Sequence, residues 1–181
     1  MHTVAVIVGS LRKDSINKKL ARNLMEIGKD ILSFSLVPLD ELPLYNQDLE
    51  EPLPAPVAHF KEAVETADAV LFVTPEYNRG IPGVLKNAID WGSRPPGRNS
   101  WGKKPAAIAG ASGGQVGTAA AQAQLRSMLT MLNMRLTGQP EAYIVVNPQF
   151  FGEDDGIANA STIAFLRRFL ESFSSWIETA K

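Results

Sequence analysis

Three loops of the sequence gather residue types that hold anions and flat heteroaromatic ligands. The first, Gly9-Ser10-Leu11-Arg12-Lys13-Asp14-Ser15-Ile16-Asn17, follows a short apolar run and opens a helical pattern. Ser10, Ser15 and Asn17 supply neutral donors, Arg12 can grip an oxyanion bidentately, and the N–H groups at a helix start have no partner within the helix. These are parts of a phosphate cradle, although the spacing is neither GxGxxG nor GxxxxGK(S/T). In a competing reading, Ser15 only caps the helix and Arg12 is solvated. Asp14 opposes a phosphate unless it turns to solvent.

The second loop is Pro75-Glu76-Tyr77-Asn78-Arg79-Gly80-Ile81-Pro82. Its prolines stiffen both ends, Pro82 suits the first position of a helix, and Gly80 permits a positive φ. Such a loop offers backbone donors and acceptors to the rim of a planar ligand, with Tyr77 or Ile81 as apolar surface. Glu76 is placed to orient the loop, and Asn78 to bond either a ligand or the turn. A rigid turn with no ligand explains the same residues equally well. The third loop, Ala111-Ser112-Gly113-Gly114-Gln115, allows close backbone approach through its two glycines, with Ser112 supplying a hydroxyl, and is weak on its own.

Loops of this kind need a scaffold that brings them together. Thr3–Val8, Ile31–Val37, Ala69–Thr74, Pro105–Ala111 and Tyr143–Val146 read as five strands, the first and third nearly all aliphatic, as in strands buried on both faces. Between them, Ile16, Leu20, Leu24 and Ile27 share a helical face, as do Val57, Phe60 and Val64, then Ala121, Leu125, Met128, Leu129 and Leu132. Ile163, Leu166, Phe169, Leu170, Phe173 and Ile177 mark a C-terminal helix. The alternation predicts a three-layer α/β sandwich whose parallel sheet runs 2-1-3-4-5 with helices on both faces. Ligands of such sheets bind beyond the carboxyl ends of the strands, where the three loops fall. The 181 residues are expected to form a single domain, 1–181, with the Pro-rich stretch Leu42–Pro56 extended near the site.

Composition removes several classes of function. Lys plus Arg number 18 against 19 for Asp plus Glu, so no basic excess exists for nucleic acid. The absence of cysteine excludes disulfides, thiolate metal sites and cysteine nucleophiles. With only His2 and His59, metal catalysis and a Ser-His-Asp triad are poorly supported, and no metal is expected. No apolar span is long enough for a membrane and no signal peptide is evident, so a cytoplasmic protein is expected. The basic segment Arg94–Lys104 reads as a solvated connector or as an attractor of anionic partners to the site mouth. Glu153, Asp154 and Asp155 read as an exposed loop, and Trp91, Trp101 and Trp176 as packing residues.

The stretches GSLRKDSINKKLAR, PEYNRGIPGVLKNAIDW and GASGG, in this order and spacing, resemble the NADPH-dependent FMN reductase family, and within it bacterial quinone and chromate reductases. The resemblance runs over essentially the whole chain. It implies a flavodoxin-like fold, noncovalent FMN, and NADPH or NADH as electron donor. The implied acceptor is a quinone, chromate or another metal oxyanion, an azo dye or free flavin, reduced by ping-pong hydride transfer through flavin N5. The resemblance places the FMN phosphate among Ser10, Arg12, Ser15 and Asn17, the isoalloxazine ring along Pro75–Pro82, and Ser112, Gly113 and Gly114 at the rim. No catalytic side chain is required, because the cofactor carries the difficult chemistry. A family-like homodimer is also implied. Ala120 and Ala123 stand where relatives have an Arg and a Tyr in a network joining two dimers, while the matching acid, Glu141, is kept. A tetramer is therefore left open. The alternative from another class is a noncatalytic electron carrier of the same fold. Such carriers tend to be strongly acidic with a Ser/Thr/Gly-rich phosphate loop, and this chain fits neither description.

Overall fold

A computed structural model describes residues 1–180. In chain order these form β1 (His2–Val8), α1 (Ile16–Ile27), β2 (Leu32–Val37), a short 3-10 turn (Gln47–Leu49), α2 (Ala55–Thr66), β3 (Ala69–Val73) and α3 (Gly83–Gly92). They continue through β4 (Pro105–Ser112), α4 (Ala119–Met131), β5 (Arg135–Leu136), β6 (Ala142–Val145) and α5 (Ala160–Thr179). The strands pair in parallel in the order β2-β1-β3-β4, and the fifth position is shared by β5 and β6. This is the flavodoxin-like order the sequence predicts, with one difference at the edge. β5 pairs with Pro105 and Ala106, and the ladder on β4 resumes only where Ala142 meets Ala109. Pro140 lies in the gap; it has no N–H to donate, so the strand breaks there.

Alternation along the strands divides the core. Val4, Val6, Val8, Leu71 and Val73 pack on one face against Leu20 and Leu24 of α1 and Leu166, Phe169 and Phe173 of α5. Ala5, Ile7, Val70, Phe72 and Ile108 pack on the other against α2, α3 and α4 through Phe60, Val64, Leu85, Ile89 and Leu125. Both faces are covered, which is why β1 and β3 carry no polar alternation. The tryptophans pack as expected. Trp101 and Trp91 are fully buried, with indole N–H groups donating to the carbonyls of Ile89 (3.0 Å) and Pro43 (2.8 Å). Trp176 donates to the Arg135 carbonyl at 2.8 Å.

Two expectations about the connectors change. The Leu42–Pro56 stretch is fastened to α3 and lines no part of the cleft described below. Asn87 accepts from the Tyr45 N–H at 2.7 Å and donates to the Pro43 carbonyl at 2.9 Å. The basic connector enters β4 at Pro105, seven residues or about 23 Å from Ser112 at roughly 3.3 Å per residue. It lies at the wrong end of the sheet to draw anions to the site. Two of its four cations are also engaged: Arg94 pairs with Glu50 at 2.8 Å, and Lys104 donates to the carbonyls of Glu65 and Ala67. Asp155, in the acidic loop, is tied to α1 by ion pairs with Lys19 and Arg22. Among the described residues, no helix is long and apolar enough to cross a membrane.

Candidate cofactor site

The carboxyl ends of β1, β3 and β4 lie side by side because the backbone continues their ladder into the loops. Gly9 N–H donates to the Val73 carbonyl at 2.9 Å and Thr74 N–H to that of Ala109 at 3.0 Å. Beyond these ends opens a cleft of about 160 Å³ lined by parts of all three loops. Ser10, Arg12, Ser15, Ile16 and Asn17 form one wall, Pro75, Glu76 and Tyr77 another, and Ala111, Ser112 and Gly113 the third.

On the first wall, Ser15 is the N-cap of α1, its hydroxyl accepting from the N–H groups of Asn17 (3.2 Å) and Lys18 (3.3 Å). Both readings of Ser15 are compatible, since an oxygen that accepts twice still has a hydrogen to donate. Ser10 is buried but bonds no described residue through its hydroxyl, and Arg12 is exposed without an ion pair. The backbone N–H groups of Leu11 to Ser15 likewise find no acceptor among the described residues. Unpaired donors, a guanidinium and the positive end of a 12-residue helix therefore meet at one place, the donor set a phosphate ester needs. Asp14, Lys13 and Leu11 turn to solvent and do not line the cleft, so Asp14 raises no charge conflict.

Asn17 is committed elsewhere. Its Nδ2 donates to the Ala111 carbonyl at 2.9 Å and its Oδ1 accepts from the Ala111 N–H at 2.9 Å. This two-way bond, 2% exposed at Asn17, clamps the first turn of α1 to the end of β4. One Nδ2 hydrogen is left over.

The second wall is a tight hairpin. Tyr77 and Gly80 exchange both backbone hydrogen bonds at 3.0 Å, and the two residues between them have positive φ, 51° at Asn78 and 65° at Arg79. That is a type I′ turn. Gly80 was expected to supply the positive φ; instead the turn places that demand on Asn78 and Arg79. Gly80 leaves room for Gln124: a Cβ there would lie 2.9 Å from Gln124 Oε1, the atom that accepts the Ile81 N–H at 2.8 Å, and would oblige that side chain to shift. Pro82 is the N-cap of α3, one residue before the position predicted for it. Asn78, Arg79, Gly80, Ile81, Pro82 and Gly114 stand behind or beside the cleft rather than on its walls. Gln124 lies outside all three candidate loops and carries no local signal, as it acts on a loop 43 residues away.

The family model for NADPH-dependent FMN reductase matches residues 2–149. The chain belongs to that family. Among reductases of the family's kind, a 2-hydroxy-1,4-benzoquinone reductase of Burkholderia sp. is 44% identical over 174 residues, covering 96% of this chain and 95% of that one. A quinone reductase of Pseudomonas putida is 45% identical over 179 residues, covering 98% and 96%. Among solved structures, the flavoenzyme FerB of Paracoccus denitrificans, an NAD(P)H:(acceptor) oxidoreductase, is similar with a TM-score of 0.94 at 45% identity, covering 99% of this chain and 98% of that one.

Proposed function

We propose that this FMN reductase family member is an FMN-dependent NAD(P)H:quinone oxidoreductase. The observation that carries the reading is the convergence on one cleft of Ser10, Arg12 and the unpaired N–H groups ahead of α1, facing the Tyr77–Gly80 hairpin. The first set suits the phosphate of FMN, and the hairpin and Ser112–Gly113 suit the edge of its ring system. Full-length similarity to quinone reductases supports the choice of acceptor. Bound FMN would supply, through its N5, the two-electron hydride chemistry that links NADPH or NADH to a quinone in a ping-pong cycle.

The chain's own work is binding and positioning. Arg12 and the N–H groups of Leu11 to Ser15 neutralise the phosphate dianion, while Asn17 keeps the cradle in register with β4. The free N–H group of Gly113, on the cleft wall, is the preorganised donor for charge gathering on the ring edge, with the free N–H groups of Asn78 and Arg79 beside the cleft as further donors to a ring that extends past its walls. The exposed phenol ring of Tyr77 leaves the mouth open to flat visitors. Chromate, azo dyes and free flavin enter this reading as further oxidants of the same reduced cofactor. A homodimer and a cytoplasmic setting belong to it as well.

The test is the visible spectrum of the purified protein, recorded anaerobically with NADPH and then NADH, followed by a benzoquinone. Flavin absorption that bleaches with the nicotinamide and returns with the quinone is the expected result. A colourless protein that takes up no added FMN overturns the proposal. An electron carrier would hold FMN yet show almost no NAD(P)H turnover without a partner reductase.

A further inference from the structure

The hairpin wall of the cleft is held from behind by α4, and the way it is held leaves a charge in the cleft. Thr118, at the N-cap position of α4, makes no side-chain capping bond. The N–H of Ala121, in the first turn, instead donates to Glu76 Oε2 at 3.0 Å, from a residue 45 positions earlier. The other carboxylate oxygen of Glu76 lies 3.4 Å from the Arg79 guanidinium. The two partners differ sharply in exposure: the Glu76 side chain is 8% exposed and that of Arg79 72%. A carboxylate at a helix N-terminus is favoured by the macrodipole. Here it comes from a distant loop, so one group caps α4, anchors a turn with two positive φ values and lines the cleft.

We propose that Glu76 is a positioning residue that fixes the Tyr77–Gly80 hairpin on α4 and lowers the reduction potential of FMN bound in the cleft. This rests on the FMN reading above. Reduced FMN carries more negative charge than oxidised FMN, and a buried carboxylate bordering the cleft opposes it. Arg79 offsets this only in part, because water and salt screen an exposed guanidinium far more than a buried carboxylate. The net field makes the bound cofactor a stronger reductant, which suits a protein that must hand electrons on to a quinone.

The experiment compares full-length Glu76→Gln and Arg79→Gln with the wild type by spectroelectrochemical titration of the FMN-loaded proteins. Amide hydrogen exchange at Ala121 is measured in the FMN-free wild type and in a third variant, Glu76→Ala, which removes the acceptor altogether. Glu76→Gln keeps an oxygen for the Ala121 N–H but removes the charge. Its affinity for reduced relative to oxidised FMN should rise on the order of tenfold, which for a two-electron couple is a potential higher by about 30 mV. Arg79→Gln leaves the carboxylate unbalanced and should shift the potential the opposite way, by less. Simple loosening of the loop would move both variants in one direction, so shifts of the same sign, or none in Glu76→Gln, overturn the inference. Exchange at Ala121 should accelerate in Glu76→Ala, and unchanged exchange overturns the capping role. A wild-type protein that takes up no FMN overturns the functional reading instead, while the Ala121 measurement still stands.

Discussion

Replacing Asn17 by Ala separates two roles that its place in the cradle confounds. Its carboxamide, 2% exposed, both donates to and accepts from the backbone of Ala111 at 2.9 Å. Truncation leaves a buried N–H and a buried C=O without partners, and each orphan costs about 1–3 kcal/mol. The loss should therefore be about 2–5 kcal/mol, at the lower end if water enters the space. That is a large part of the ~5–15 kcal/mol typical of a domain, but it leaves a folded majority at 25 °C. The assay is urea unfolding of the FMN-free protein, with FMN titration by fluorescence alongside. Arg12→Ala is the counterpart: exposed and without an ion pair, it should leave stability within about 0.5 kcal/mol of wild type. It loses a charge-assisted bond of roughly 1.5–3 kcal/mol, so FMN affinity should fall about 10- to 100-fold. Wild-type stability with weakened FMN binding in Asn17→Ala would make the carboxamide a ligand group and refute the clamp. Unchanged affinity in Arg12→Ala would discard the phosphate assignment.

Two further outcomes are expected. A Cβ at Gly110 would lie 2.2 Å from Thr118 Oγ1 and 2.3 Å from the Thr74 carbonyl oxygen, so Gly110→Ala must push β4 away from both. It should cost about 1–3 kcal/mol and lower Tm by several degrees; a wild-type Tm would refute this packing. The Glu50 carboxyl is held below its ordinary value near 4.5, first by the Tyr45 hydroxyl and then by the Arg94 guanidinium, against the opposing effect of burial. A lowered folded-state pKa gives stabilisation that is present above pH 4.5 and lost as pH falls through the lower folded value. The stability gap between wild type and Glu50→Gln should thus be widest above pH 4.5 and close on acidification; parallel acid limbs would refute it.

Much of this was legible because it is local. The aliphatic runs of β1 and β3 announce strands covered on both faces, and the apolar spacing of α1 and α5 announces the helices that cover one of them. The donor cluster ahead of α1 is legible for the same reason: Ser10, Arg12 and the helix start are neighbours in sequence. The split edge strand was not legible. Residues 142–145 look like a strand, but Arg135–Leu136 is too short to signal that β4 has a second partner. Asn17 makes a clamp that is hidden on similar grounds. Its type suits a ligand donor, and only the fold brings Ala111, 94 residues on, within its reach.

The hairpin shows why the residue-level reading of a site fails where the fold-level reading succeeds. In Asn78-Arg79-Gly80 the glycine is the residue that most easily takes a positive φ, and a three-residue loop with Gly in the left-handed position is a common solution. The chain instead closes a two-residue turn one position earlier and forces Arg79 to φ 65°. Two contacts from α4 favour that choice. Gln124 accepts the Ile81 N–H with an oxygen 2.9 Å from where a Cβ on the preceding residue would stand, so glycine there leaves that bond undisturbed, and Glu76 both caps α4 and faces the Arg79 guanidinium. Moving the turn one residue on would keep the backbone relaxed but carry Gly80 away from Gln124. The register is thus set by a helix more than 35 residues downstream, so strain accepted at Arg79 marks where tertiary contacts outweigh local preference.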